Sequence, residues 1–173
     1  MLGLGARSKT PQNILREKEC VLNLPSADLV PAVNRLARLT GSDPVPPHKL
    51  GMGYRYEPRK FEVAGLTPVA SEVVRTPRIL ECAVQLEAVL EQGHAFGHSP
   101  YREPRAIGLE VRIVRAHIEE SILIDGEEDR IDPDKWRPLI MSFRQFYGLS
   151  DRIHSSTLAE IPELAYRPNA HMM

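Results

Sequence analysis

Two stretches of this chain, Ile79 to Leu90 and Ile107 to Ile118, constrain its fold more tightly than any other feature. In the first, Cys82, Val84, Leu86, Ala88 and Leu90 occupy every second position, with Glu81, Gln85, Glu87 and Glu91 among the residues between and beyond them. Successive side chains of a strand point to opposite faces, so this pattern describes a strand with one face buried and the other wet. The second stretch places Ile107, Leu109, Val111 and Ile113 on one face and then resumes with Val114, Ala116 and Ile118 on the opposite parity. A β-bulge near Ile113 accounts for the change of phase, because one extra residue inverts the facing of everything after it. Long bulged strands with short helical segments around them imply an antiparallel β-barrel of the α+β kind and argue against a doubly wound sheet.

The remaining segments read as peripheral. Thr10 and Pro11 have the form of an N-cap and a first-turn proline, opening a short helix to about Lys18. Cys20 to Leu24 follow as a short strand ended by Pro25, and Ser26 caps a second helix whose Leu29, Val33, Leu36 and Ala37 fall at helical spacing. Residues 42–58 are too rich in Pro and Gly for regular structure, and Phe61 to Leu66 suffice for a brief helical turn. Val69 to Val74 and Ser121 to Ile124 read as strands, Asp132-Pro133 as the start of a helix through Trp136, and the aromatic run from Phe143 as a loop. The expected organisation is one domain over residues 1–150 and an extension over 151–173 that is mobile from Ala165.

Composition narrows the function classes. Twenty-two basic against twenty-three acidic side chains leave a net charge of −1, so there is no global electrostatic case for nucleic acid or a membrane surface as partner. Any anion site must be local. No apolar run approaches the ~20 residues of a membrane helix, and MLGLG is too short for a signal-peptide core, which makes the cytoplasm the expected location. Cys20 and Cys82 each open an apolar run and read as small buried hydrophobes. His94 and His98 have i, i+4 spacing, but Gly93 and Gly97 oppose a helix and no third ligand is near, so no metal is expected. No nucleophile elbow, G-x-G-x-x-G or Walker loop is present. Tyr54, Tyr56, Phe143, Phe146 and Tyr147 fall in loops, where aromatics either wall a planar ligand or close the ends of a barrel.

The most specific chemistry lies near the start of the chain. A glycine-loosened loop carrying Arg7, Ser8 and Lys9 leads into the helix that begins near Thr10. Unpaired first-turn N–H groups and the positive end of the helix dipole attract an anion there, and Ser8, Lys9 and Thr10 can add side-chain donors. A well-capped surface helix has the same local features, so local reasoning leaves both readings open.

Taken together, R-S-K-T-P-Q-N-I (7–14), C-V-L-N-L-P-S (20–26), A-V-N-R-L-A (32–37), K-F-E-V-A-G-L-T-P-V-A-S-E (60–72), P-R-I-L-E-C-A-V-Q-L-E (77–87) and G-L-E-V-R-I-V-R-A-H-I (108–118) resemble, in order, the flavin reductase-like family of FMN-binding split barrels. That family includes reductase components of two-component flavin monooxygenases and flavoredoxins. The resemblance implies an antiparallel FMN-binding split β-barrel with peripheral helices, usually a homodimer, in which Arg7, Ser8, Lys9, Thr10 and Asn13 hold the cofactor. It implies a barrel lacking the family's N-terminal strands, since the chain starts where the third strand of the family would lie. The implied function is an FMN-dependent oxidoreductase that passes reducing equivalents from NAD(P)H to flavin, with a monooxygenase or other redox partner. An FMN-binding electron carrier without its own NAD(P)H reaction, and a truncated non-catalytic homologue, are the alternatives. No catalytic acid or base is identifiable. The G-D-H motif of one reductase branch is replaced by E-P-R-A-I-G-L-E-V (103–111), and the family's K-D before the threonine reads Ser8-Lys9.

Overall fold

The computed structural model describes residues 1–97, 104–162 and 165. His98 and most of the extension past Pro162 lie outside the described residues. In chain order the elements are β1 (Leu2–Gly5), α1 (Lys9–Glu17), β2 (Glu19–Leu24), α2 (Val30–Arg35), β3 (Leu39–Thr40), α3 (Pro47–Leu50), β4 (Arg55–Tyr56), α4 (Lys60–Ala64), β5 (Pro68–Val69), β6 (Arg78–Ile79), β7 (Val84–Phe96), β8 (Ala106–Ile118), β9 (Ile140–Ser142) and β10 (Gln145–Tyr147). The main sheet is four-stranded and antiparallel, ordered β1-β8-β7-β2. It forms a curled half-barrel with few helices, the mainly β architecture expected from the alternating pattern.

The phase change in the second long stretch has the cause anticipated for it. Glu87 pairs with Arg115 and Ala88 with Ile113, so Val114 is the extra residue of a bulge. A second irregularity between Leu90 and Gln92 leaves Glu91 unpaired in the register. Two bulges in one strand pair increase the local twist, and that curvature lets the sheet wrap around a core. Ile14 of α1, Cys20, Ala88 and Leu109 form that core, with Leu2, Leu4, Leu22 and Ile107 packed against it. A second cluster of Ala83, Val84 and Ile122 sits at the other end of the sheet. At Gly108 a Cβ would lie 2.6 Å from the Phe96 ring, so the close ring-on-backbone contact across β7 and β8 depends on that glycine.

Several segments differ from their sequence pattern, each for a local reason. The first long strand begins at Val84 rather than Ile79 and runs on to Phe96. Residues before it turn aside, because the Glu81 carboxylate accepts the Thr67 amide at 3.0 Å and Gln85 Nε2 donates to the Cys82 carbonyl at 2.8 Å. Only Pro68–Val69 of the stretch to Val74 is a strand. The amides of Glu72, Val73 and Val74 donate instead to the buried Glu87 carboxylate, at 2.8, 2.7 and 3.0 Å. Ser121 to Ile124 is replaced by a 3₁₀ turn over Glu120–Ile122, with Leu123 bridging to Ile131. Asp132-Pro133 opens a single turn in which Asp132 accepts the Asp134 amide at 2.8 Å. The Pro- and Gly-rich segment contains the short α3 and β4. The aromatic run forms the β9–β10 hairpin, with Phe143 and Arg144 both at positive φ, the requirement of a type I′ turn that Asn-Gly usually meets.

Candidate functional site

The start of α1 is set by the turn that leaves β1. Ser8 is the N-cap, with extended backbone (φ −82°, ψ 159°), and its hydroxyl donates to the Gly5 carbonyl at 2.7 Å. The cap therefore lies two residues before the Thr10 position that the Thr-Pro pair suggests. The Ser8 amide also bonds Gly5, at 2.9 Å, and closes the turn at that point. Pro11 becomes the third helical residue, where it is still within the first turn and costs no intrahelical bond. Because the Ser8 side chain is engaged with Gly5, it caps no amide. The Lys9 and Thr10 N–H groups are first-turn donors without an intrahelical acceptor. This leaves two amides and the positive end of the dipole at the place where an anion was expected.

The structure adds lysines that sequence spacing could not connect with this start. A Cβ at Gly41 would sit 3.4 Å from Lys9 Cγ and 3.9 Å from Lys60 Nζ, so both side chains converge on that glycine. Burial, and then the nearby Lys49 ammonium, hold the Lys60 amine below the ordinary lysine range. Among the described residues none of these three lysines has a carboxylate partner. Cations gathered without counter-charge are expensive, and a bound anion relieves the cost. The sequence clue that existed was the basic residue opening K-F-E-V-A-G-L-T, fifty residues from Lys9; only the fold makes the two neighbours.

A cavity of about 440 Å³ runs beside the same helix, between β1 and β2. Leu2, Leu4, Ile14 and Leu22 give it apolar walls, and Thr10 and Asn13 face it from α1. Asn13 Oδ1 is buried there with no hydrogen-bond partner. A buried acceptor left open costs roughly 1–3 kcal/mol unless a ligand or water supplies a donor. Of the five residues singled out from the sequence, Ser8, Lys9 and Thr10 form the helix start and Asn13 lies one turn on, while Arg7 is exposed in the preceding turn.

The opposite side of the sheet is tied down electrostatically. Glu87 is fully buried, and His117 Nε2 lies 2.7 Å from its Oε1. Burial pushes the Glu87 carboxyl up, but the Glu72 amide, the His117 ring and the Val73 and Val74 amides together outweigh it and hold it at about 2. Both cysteines are buried and free; burial, and then the Glu81 charge, push the Cys82 thiol up to about 11, which leaves it a hydrophobe rather than a nucleophile. Among the described residues there is no cluster able to hold a metal and no helix long and apolar enough to cross a membrane.

The curled antiparallel half-barrel thus carries an anion-type helix start on α1, whose Thr10 and Asn13 face a largely apolar cavity. Residues 1–150 match the flavin reductase like domain, and the chain belongs to that family. It is 39% identical over 160 residues to the uncharacterized protein YdfE of Bacillus subtilis, covering 92% of this chain and 74% of that one. Among solved structures it resembles nitrilotriacetate monooxygenase component B from Bacillus cereus, with a TM-score of 0.67, 26% identity and coverage of 87% of this chain and 66% of that one. The flavoredoxin of Desulfovibrio vulgaris superposes with a TM-score of 0.66 at 22% identity, covering 91% and 73% of the two chains, a likeness of fold. The chain thus spans roughly two thirds to three quarters of the length of these relatives.

Proposed function

We propose that this protein binds FMN by its phosphate at the start of α1 and passes reducing equivalents from NAD(P)H to flavin. The observation that carries the reading is the convergence of Lys9 and Lys60 on Gly41, beside the two open amides of α1, the helix whose Thr10 and Asn13 face the cavity. The residues present fit the cofactor. Two ammonium groups and two N–H donors match a phosphate dianion, and the buried Asn13 oxygen is an acceptor for a hydroxyl or ring N–H. Bound FMN supplies the hydride chemistry itself. The chain's own part is to hold the phosphate and keep water from the ring with Leu2, Leu4, Ile14 and Leu22. The similarity to a monooxygenase component supports a redox partner that consumes reduced flavin. The outer edges of β1 and β2, which lack a strand partner among the described residues, support assembly with a second copy.

The test is an absorbance titration of the purified protein with FMN, followed by NADH and NADPH oxidation assays. Flavin uptake with nucleotide oxidation supports the reading. Uptake without oxidation makes the protein an electron carrier, and no uptake contradicts flavin binding altogether. Replacing Lys9 and Thr10 together by alanine weakens FMN by about 2–4 kcal/mol, the scale of two charge-assisted hydrogen bonds. An unchanged titration in that variant would place the phosphate elsewhere.

A further inference from the structure

One strap at the rim of the cavity is held by side chains rather than by the sheet. Pro68–Val69 and Arg78–Ile79 pair as β5 and β6, and residues 70–77 form the loop between them. Among the described residues, no amide of the 71–76 segment donates to a backbone carbonyl. The Glu72, Val73 and Val74 amides converge instead on Glu87 of β7, and the Arg75 amide donates to Glu19 Oε1 of β2 at 2.8 Å. The Ser71 hydroxyl donates to the Thr76 carbonyl at 2.6 Å and closes the loop on itself.

The two halves of the strap are anchored at different depths. Glu87 and Val74 are both buried, which fixes the first half on the sheet. The second half is tied at the surface. Arg75 Nη2 stands 3.3 Å from Glu17 Oε2 at the end of α1, and Arg75 Nε stands 3.4 Å from Glu19 Oε1 at the start of β2. Arg16 Nε takes the other Glu17 oxygen at 2.6 Å, leaving Oε2 to the strap. The Arg75 side chain is three-quarters exposed, so salt screens this tie while the Glu87 anchor is shielded from it.

Thr76, Glu17 and Glu19 all line the cavity beside α1, so Arg75 joins strap, helix and strand across its rim. We propose that Arg75 is a positioning residue, an electrostatic latch that holds Thr76 against the cavity and sets how fast a ligand enters and leaves. The proposal rests on the flavin reading only in naming FMN as that ligand. Exposed ion pairs each contribute little, so the latch opens readily and controls exchange rather than affinity. Opening swings Arg75 and Thr76 about the buried Val74 and leaves the sheet unchanged.

Cys20 reports the opening without any flavin. It is a free, buried thiol on the cavity wall, and burial pushes it up, so it reacts only as the cavity opens. Cys82, buried and free but not among the lining residues, is the internal control. The experiment alkylates the full-length protein with N-ethylmaleimide and follows each cysteine by peptide mass spectrometry. Raising NaCl from about 0.05 to about 0.5 M should speed Cys20 about threefold in the wild type. Arg75→Met should speed it about fivefold at low salt and abolish the salt effect, with Glu17→Gln between the two and Cys82 unchanged throughout. With FMN, Arg75→Met should accelerate association and release together, leaving affinity within about twofold, whereas a merely loosened site accelerates release alone. An unchanged Cys20 rate in Arg75→Met, or a matching acceleration of Cys82, overturns the latch. So does a faster Cys20 with FMN association and release both unaltered. If the protein takes up no FMN and Cys20 still responds to salt and to Arg75, the flavin reading fails and the latch stands.

Discussion

The carboxylate of Glu87 gives the most quantitative handle on how this half-barrel is held. Its Oε1 accepts the Glu72 amide at 2.8 Å and lies 2.7 Å from His117 Nε2, and its Oε2 accepts the amides of Val73 and Val74. The folded chain ionises this group at about 2, against 4.5 for the free side chain. A depressed carboxyl stabilises the fold fully above the unfolded value and loses that contribution as the pH falls through the folded value, so the window runs from about pH 4.5 down to about 2. That depression is worth about 3 kcal/mol, and full burial leaves little solvent to screen it. Glu87→Gln keeps the volume but turns one acceptor oxygen into an N–H₂ group facing donors, which leaves amides of the 72–74 segment unsatisfied. The expected loss is about 3 kcal/mol at pH 7, or about 6–12 °C in Tm for a chain of this length. Urea unfolding of both proteins across pH 2 to 7 measures it. The gap between them should be constant above pH 5 and close toward pH 2. A gap under about 0.5 kcal/mol at pH 7, or one that does not shrink in acid, would refute the carboxylate network as the anchor of this loop.

The same packing sets three further outcomes. Lys60 is held below its ordinary range by burial and Lys49, and a phosphate beside it raises it again; FMN binding at alkaline pH should therefore take up a proton, seen as a buffer-dependent heat in calorimetry and lost in Lys60→Met. Leu109 is fully buried in the main core cluster, and Leu109→Ala should cost about 2–5 kcal/mol in denaturant unfolding. Gly108→Val puts a Cβ 2.6 Å from the half-exposed Phe96 ring, and the ring swung aside should appear as altered near-ultraviolet dichroism.

Strand character was legible wherever one face is buried, since period-two alternation follows directly from the pleat; most of β2 and β8, the first half of β7 and the bulge opposite Ala88 fall in stretches read that way, while β7 runs on past Leu90 to Phe96. Val69 to Val74 misled because its amides are claimed by a side chain fifteen residues on, and a buried carboxylate leaves no mark in local apolar spacing. The β9–β10 hairpin was hidden by its turn: Phe143 and Arg144 occupy positions where Gly or Asn is the usual signal. The Thr-Pro pair pointed to the right helix and the wrong cap, because Ser8 is already committed to Gly5. Of the site, Ser8, Lys9, Thr10 and Asn13 could be chosen from one local segment. Lys60 could not, since its nearness to Lys9 is a tertiary fact carried by Gly41.

The account stands on the phosphate grip at Lys9, Thr10 and Lys60, and comparing FMN with riboflavin tests it most directly, because the two differ only in that phosphate. Fluorescence titrations of the full-length protein should give FMN an affinity at least about a hundredfold above riboflavin, the equivalent of about 2.7 kcal/mol. Lys9→Ala/Thr10→Ala and Lys60→Met should each bring FMN toward the riboflavin value and leave riboflavin unchanged. Equal affinity for the two flavins, or an FMN preference that survives all these substitutions, would contradict the claim.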